Sequence, residues 1–110
     1  MGSEKEDHPK YRIDFLKSAS AELARLPPTV LRDVADAIEN LKRDPEPPGH
    51  VALKGYDPAI RRITVGSYRV IYEIKDRFLL VLVLKVADRS KVYSEFARLM
   101  GRVPPAGHRR

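Results

Sequence analysis

From Phe78 to Leu84 the chain reads Phe-Leu-Leu-Val-Leu-Val-Leu, apolar at every position. Such a run admits either a strand covered on both faces or a buried helical turn or two. The residues before it favour the strand. Ile63 and Val65 alternate with Arg62 and Thr64, as on a strand with one buried face. Gly66-Ser67 follows, a two-residue loop with Gly first, the composition of a type II′ hairpin turn. Tyr68, Val70, Tyr72 and Ile74 then alternate with Arg69, Ile71 and Glu73. A hairpin closed on that turn sets Val65 opposite Tyr68, Thr64 opposite Arg69 and Arg62 opposite Ile71. Arg62, Thr64 and Arg69 then share one face of the sheet. Burial of apolar surface does not explain two arginines there, so this face is the first candidate site.

The chain before the hairpin predicts a strand and two helices. Met1 to Lys10 is polar and reads as a disordered leader, in which His8 has no partner at metal-ligand spacing. Tyr11-Arg-Ile-Asp-Phe15 alternates as a short first strand. A helix is expected from Ser18, capped by that serine, with Ala19, Leu23 and Leu26 on one side. Pro27-Pro28 ends it and opens a second helix, whose apolar stripe is Val30, Val34, Ala37, Ile38 and Leu41. Lys42 and Arg43 fall in its expected last turn, where cations suit the helix dipole. Asp44 to His50 is a proline-rich exit loop, and His50 reads as a loop histidine rather than a catalytic base. After the apolar strand, Ser94 to Met100 predicts a short helix with Phe96 and Leu99 or Met100 inward, ended by Gly101. Residues 101–110 read as a disordered basic tail.

The expected architecture is therefore α+β: a small twisted, largely antiparallel sheet with an N-terminal helical hairpin packed on one face and the other face left open. The single domain spans residues 11–100. Neither a secretory apolar segment nor a membrane-length run is present, and there is no cysteine, which together suggest a reducing, cytoplasmic setting. The net charge of +6 and an isoelectric point near 9.8 suit a polyanionic partner.

Several chemistries have no support. No phosphate-binding glycine loop, Cys/His metal set or Gly-x-Ser-x-Gly elbow occurs, and Asp76 and Asp88 lack the acidic neighbours of a two-metal nuclease. No metal and no cofactor is expected. Cations and tyrosines remain. RNA can be cut without metal when its 2′-OH lies in line with the adjacent phosphate and protein groups stabilise the developing charge. Arginine supplies fixed, forked donors, and tyrosine a face on which a base can stack. Arg69 and Arg62 suit that work, although either could be an ordinary sheet arginine. Arg89 could equally pair with Asp88 or Glu95, and Tyr93 could equally pin the last helix. Arg61 points to the opposite face and reads as structural. Tyr68, Tyr72 and Phe78 read as core.

Five segments in order give a more specific pattern: Leu26-Pro27-Pro28, Leu53-Lys54-Gly55, Arg61 to Gly66, Ser67-Tyr68-Arg69-Val70-Ile71-Tyr72, and Arg89-Ser-Lys-Val-Tyr93. Together they resemble the RelE/ParE family of toxins from type II toxin–antitoxin systems, over roughly Tyr11 to Leu99. The RelE-like branch implies a ribosome-dependent mRNA endonuclease acting in the ribosomal A site. It implies Arg69 on the scissile phosphate, Arg89 assisting the leaving group, and Tyr93 stacking on or orienting the base. Arg62, Thr64, Lys54, Lys85 and Lys91 join as RNA-binding candidates. Thr64 stands where the family carries a basic residue, which leaves Lys54 or Lys85 to supply one, and Asp88 stands where His or Lys is common. The resemblance also implies an acidic cognate antitoxin, a hetero-oligomer that reaches DNA through that antitoxin, and no membrane partner. A ParE-like inhibitor of DNA gyrase and an inert partner-binding module share the same resemblance.

Overall fold

The computed structural model describes residues 9–101. The expected leader over 1–10, its His8 included, and the tail over 101–110 lie outside the described residues except for Pro9, Lys10 and Gly101. Five strands and three α-helices follow one another as β1 (Arg12–Phe15), α1 (Lys17–Ala24), α2 (Pro28–Asn40), β2 (Val51–Ala52), β3 (Ile60–Val65), β4 (Tyr68–Lys75), β5 (Leu80–Asp88) and α3 (Val92–Leu99). The sheet order is β1-β5-β4-β3-β2. Only β1 and β5 run parallel, because the helical hairpin α1–α2 and the β2–β4 meander lie between them in the chain.

The central hairpin has the expected register. Val65 pairs with Tyr68, Thr64 with Arg69, Ile63 with Val70 and Arg62 with Ile71. Gly66 takes φ +60, and no positive φ occurs at Ser67, as a type II′ turn requires. The helical hairpin covers one face. Val34, Ile38 and Leu41 of α2 and its exit, with Ala19 of α1, pack on Ile63, Val70, Tyr72, Val81, Val83 and Val86. Tyr72 is fully buried and donates its hydroxyl to the Pro45 carbonyl at 2.7 Å. Burial pushes its pKa well above the usual phenol value.

The other face differs from the open one expected. It carries a second, smaller cluster of Ile60, Ile71, Leu84, Val92 and Phe96, with Leu53 and Tyr56 beside it. The Tyr56 and Phe96 rings lie 5.0 Å apart at 55°, a tilted pair. Thus α3 covers the Ile60–Leu84 part of this face. It begins at Val92 rather than Ser94, so Tyr93 lies in its first turn, while Leu99 and Met100 are exposed.

Other boundaries also move. A fifth strand, β2, pairs Val51 with Arg62 and Ala52 with Arg61; two edge residues carry no alternation to read. The apolar strand starts at Leu80, because Asp76–Phe78 form a 3-10 turn and Leu79 takes a left-handed φ of +49. Phe78, expected in the core, is 65% exposed. Leu16, not Ser18, precedes α1, with no side-chain cap. Helix α2 stops at Asn40, so Lys42 and Arg43 lie beyond its last turn. Among the described residues no helix is long and apolar enough to cross a membrane.

Candidate active site

The β3–β4 turn gathers the sequence-predicted arginines. Thr64 and Arg69 are cross-strand partners, and Arg69 also pairs with Ala87 of β5. Two positions along β3 from Thr64 brings the chain to Arg62 on the same face. The Arg62 guanidinium donates to Thr64 Oγ1 at 2.8 Å, so the threonine hydroxyl fixes where that cation lies. Arg69 Nη1 curls back on the turn and donates to the Gly66 and Tyr68 carbonyls, each at 3.0 Å. From the end of β5, the Arg89 backbone N–H reaches the Ser67 carbonyl at 2.8 Å. One turn therefore anchors both Arg69 and Arg89.

Neither arginine forms an ion pair with a carboxylate among the described residues. The two acids that could have neutralised Arg89 are occupied otherwise. Asp88 Oδ1 accepts from both the backbone N–H and the hydroxyl of Ser90, at 2.8 Å each. Those bonds, the backbone one foremost, hold its pKa below the ordinary carboxylate value, with Arg89 and Lys91 adding to the effect. Glu95 pairs with Lys85 at 2.9 Å. Asp88 thus shapes the corner from β5 into α3, where the Lys91 N–H returns to the Asp88 carbonyl at 2.9 Å. Arg89 and Lys91 are exposed on that corner, and Tyr93, one helical position past the buried Val92, is 45% exposed.

Two lysines leave the expected set. Lys85 is only 9% exposed and is held between Glu22 of α1 at 2.6 Å and Glu95 of α3 at 2.9 Å. Burial pulls its ammonium down, but hydrogen bonds to the two carboxylates outweigh that and raise its pKa above the ordinary lysine value. An ammonium so held is neither a neutral base nor a phosphate ligand. Lys54 is exposed but follows β2 at the Ile60 end of the sheet, where the Leu53 N–H bonds the Ile60 carbonyl. Four strand residues, about 13 Å, separate Ile60 from Thr64.

On the opposite face the cation is matched. Arg61 bonds Glu46 at 2.7 Å, the Pro58 carbonyl at 2.7 Å and His50 Nε2 at 2.8 Å. His50 Nδ1 lies 2.9 Å from the Pro47 carbonyl, which can only accept, so Nδ1 carries the proton and Nε2 receives the arginine. That histidine is a loop fastener, as its sequence context suggested. Sequence reasoning missed the roles of Glu22 and Glu95, since a lone glutamate on the polar side of a helix looks solvated.

Comparison with known proteins agrees with this architecture. A family model described as the ParE toxin of the type II toxin–antitoxin system parDE matches residues 13–93. Toxin RelG of Mycobacterium tuberculosis is 33% identical over 87 residues, covering 76% of this chain and 95% of that protein. The RelE–RelB complex of the archaeon Pyrococcus horikoshii contains a chain that superposes with a TM-score of 0.65 at 26% identity, covering 74% of this chain and 98% of that one. The isolated Escherichia coli RelE toxin superposes with a TM-score of 0.64 at 28% identity, covering 82% and 98%. The five-stranded sheet with its three helices, and a family match across nearly the whole described chain, lead to one assignment: this protein belongs to the RelE/ParE family of type II toxin–antitoxin toxins.

Proposed function

We propose that this toxin is a metal-independent endoribonuclease that cuts mRNA in the ribosomal A site and so stops translation in the cytoplasm. The observation that carries the reading is the cationic corner: the Arg69 guanidinium and the Arg89 backbone are both bound to one turn, and neither arginine has a carboxylate ion pair among the described residues. Cations left unneutralised at a fixed place suit an anion that arrives from outside.

In the reaction the 2′-oxygen attacks the adjacent phosphorus, a 2′-O–P bond forms and the P–O5′ bond breaks. The products are a 2′,3′-cyclic phosphate and a 5′-hydroxyl. Arg69 donates to the non-bridging oxygens as their charge grows, and Arg89 stabilises the departing 5′-oxygen, which takes its proton from water to become the 5′-hydroxyl. Arg62, tethered by Thr64, adds positive potential beside the 2′-OH and favours loss of its proton to water. Tyr93 stacks on the adjacent base, which holds the nucleotide in line. Lys91 meets the RNA backbone next to Arg89.

The partner is an acidic antitoxin. RelE toxins of Pyrococcus horikoshii and Escherichia coli form complexes with RelB antitoxins, and a chain of net charge +6 suits an acidic one. That hetero-oligomer reaches DNA through the antitoxin.

A second reading, inhibition of DNA gyrase, is favoured by the ParE description of the family model. Purified toxin added to a translation extract and, separately, to a gyrase supercoiling assay distinguishes them. Cut mRNA with intact supercoiling is expected. Lost supercoiling with intact mRNA selects the second reading, and neither effect leaves a partner-binding module.

A further inference from the structure

Lys85 sits where the sheet departs from regular pairing. Tyr72 of β4 pairs with Val83, but Ile71 pairs with Lys85, so Leu84 is an extra residue in β5. The bulge reverses the alternation: Val81 and Val83 lie in the cluster under the helical hairpin, and it is then Val86, not Lys85, that returns to it. Strand β1 pairs with β5 only as far as Val83, so beyond that point the β5 edge has no strand neighbour. Glu22 of α1 takes that place. Its Oε1 accepts the Val86 N–H at 2.9 Å and its Oε2 accepts Lys85 Nζ at 2.6 Å. The same ammonium reaches Glu95 of α3 at 2.9 Å.

One cation thus joins three elements: the hairpin on one face, the strand that leads into Arg89, and the helix whose first turn carries Tyr93. The large apolar anchors of α3, Val92 and Phe96, are one turn apart on a single stripe, with only the small Ala97 buried beside it among the described residues. So narrow a stripe holds a helix against a sheet but resists its roll weakly. Glu95 lies off that stripe and is held by an ion pair, which fixes the roll.

Resting on the endonuclease reading above, we propose that Lys85 is a positioning residue for the site: with Glu22 as its base, it clamps Glu95 and thereby sets where α3 presents Tyr93. The clamp acts on geometry, not on the reacting atoms. Tyr93 is displaced when the clamp opens, and cleavage slows while docking on the ribosome persists.

The test uses the full chain and three variants, Glu95→Gln, Lys85→Met and Lys85→Arg. Glu95→Gln keeps the Lys85–Glu22 pair, so it tests the clamp even where Lys85→Met fails to fold. In the free toxin, amide exchange over Val92–Leu99 in Glu95→Gln is expected to rise about tenfold relative to β4 and β5, with a shift of the Tyr93 ring resonances. In the ribosome assay its single-turnover cleavage falls by about 10–100-fold at unchanged ribosome affinity. Lys85→Arg, still able to reach both carboxylates, restores the exchange pattern and the rate. Wild-type exchange and ring resonances in Glu95→Gln overturn the proposal whether or not the protein cuts mRNA. Faster exchange with an unchanged rate also overturns it. A wild type that cuts nothing refutes the endonuclease reading, while the exchange and ring measurements still decide the clamp.

Discussion

The two faces of the sheet hold their charges differently. Under the helical hairpin the surface is almost wholly apolar, and Arg61, a cation on it, is bound by Glu46, His50 and a carbonyl. The face under α3 is divided. Around Ile60, Ile71 and Leu84 it is apolar, with Glu73 and Lys75 paired to each other beside that cluster, and toward the Gly66 turn it carries Arg62, Thr64 and Arg69. Hydroxyl and carbonyl oxygens orient those arginines without cancelling their charge. Lys85 is the instructive intermediate: it looks like a site lysine in the sequence, yet two carboxylates consume it. A cation's partner, more than its position, separates the structural cations from the candidate site here.

That contrast is broken first at the hairpin face. Leu41 is fully buried there, and Leu41→Ala should lower stability by about 2–5 kcal/mol through the cavity it leaves. Denaturant unfolding measures it. A loss below about 0.5 kcal/mol, typical of surface substitutions, would mean that this face is not the main core. Any cleavage defect in this variant should scale with the fraction unfolded.

On the other face the effect should move from stability to rate. Arg69→Ala and Arg89→Ala should each reduce single-turnover cleavage by about 10²–10³, the usual loss for one preorganised donor. Their unfolding curves should stay within about 0.5 kcal/mol of wild type. Arg69→Lys should rescue poorly, since a point charge lacks the fork. If Arg89→Ala melted as early as Leu41→Ala, the corner would be structural and its arginines misassigned.

Tyr93 sharpens the comparison at smaller amplitude. If its ring stacks on a base, Tyr93→Phe should keep most of the activity, and Tyr93→Ala should lose about 1–3 kcal/mol of substrate interaction. Cleavage by Tyr93→Phe as poor as by Tyr93→Ala would assign the hydroxyl a proton-transfer role instead.

The parts of this arrangement that could be read from sequence are those governed by local rules. Alternation with period two located β3 and β4, and Gly66-Ser67 fixed their register; together they placed Arg62, Thr64 and Arg69 on one face. Proline chemistry located the α1–α2 break. What escaped depends on distant chain. In a run apolar at every position no alternation marks a bulge, so nothing local showed Leu84 as extra or where Lys85 points. Glu22 and Glu95 lie 63 residues and 10 residues from Lys85, and only the fold brings them together. Phe78 looked like the first strand residue because its hydrophobicity is indistinguishable from that of Leu80, whereas the 3-10 turn leaves it outside. Val51-Ala52 pairs only because Arg61 and Arg62 offer an edge.

The smallest expected effect lies at the end of the sheet away from the cationic corner, and it tests whether that end is independent of the chemistry. Tyr11 donates its hydroxyl to Asp76 Oδ1 at 2.6 Å, joining the start of β1 to the turn between β4 and β5. That bond, helped by burial, raises the Tyr11 pKa from 10.0 to about 12. The raised value favours the protonated phenol in the folded state, so its contribution is complete below pH 10, where the unfolded phenol is also protonated. It is lost as pH rises from 10 through about 12, because the unfolded chain ionises first. Tyr11→Phe should therefore be less stable than wild type by about 0.5 kcal/mol at neutral pH, the low end for a hydrogen bond that water can replace. The gap should close just above pH 10 and reverse toward pH 12, measured by denaturant unfolding of both proteins across that range. Cleavage at neutral pH should be unchanged. A gap that stayed constant with pH would remove the phenol from the alkaline response, and a slowed cleavage would show that the two ends of the sheet are coupled.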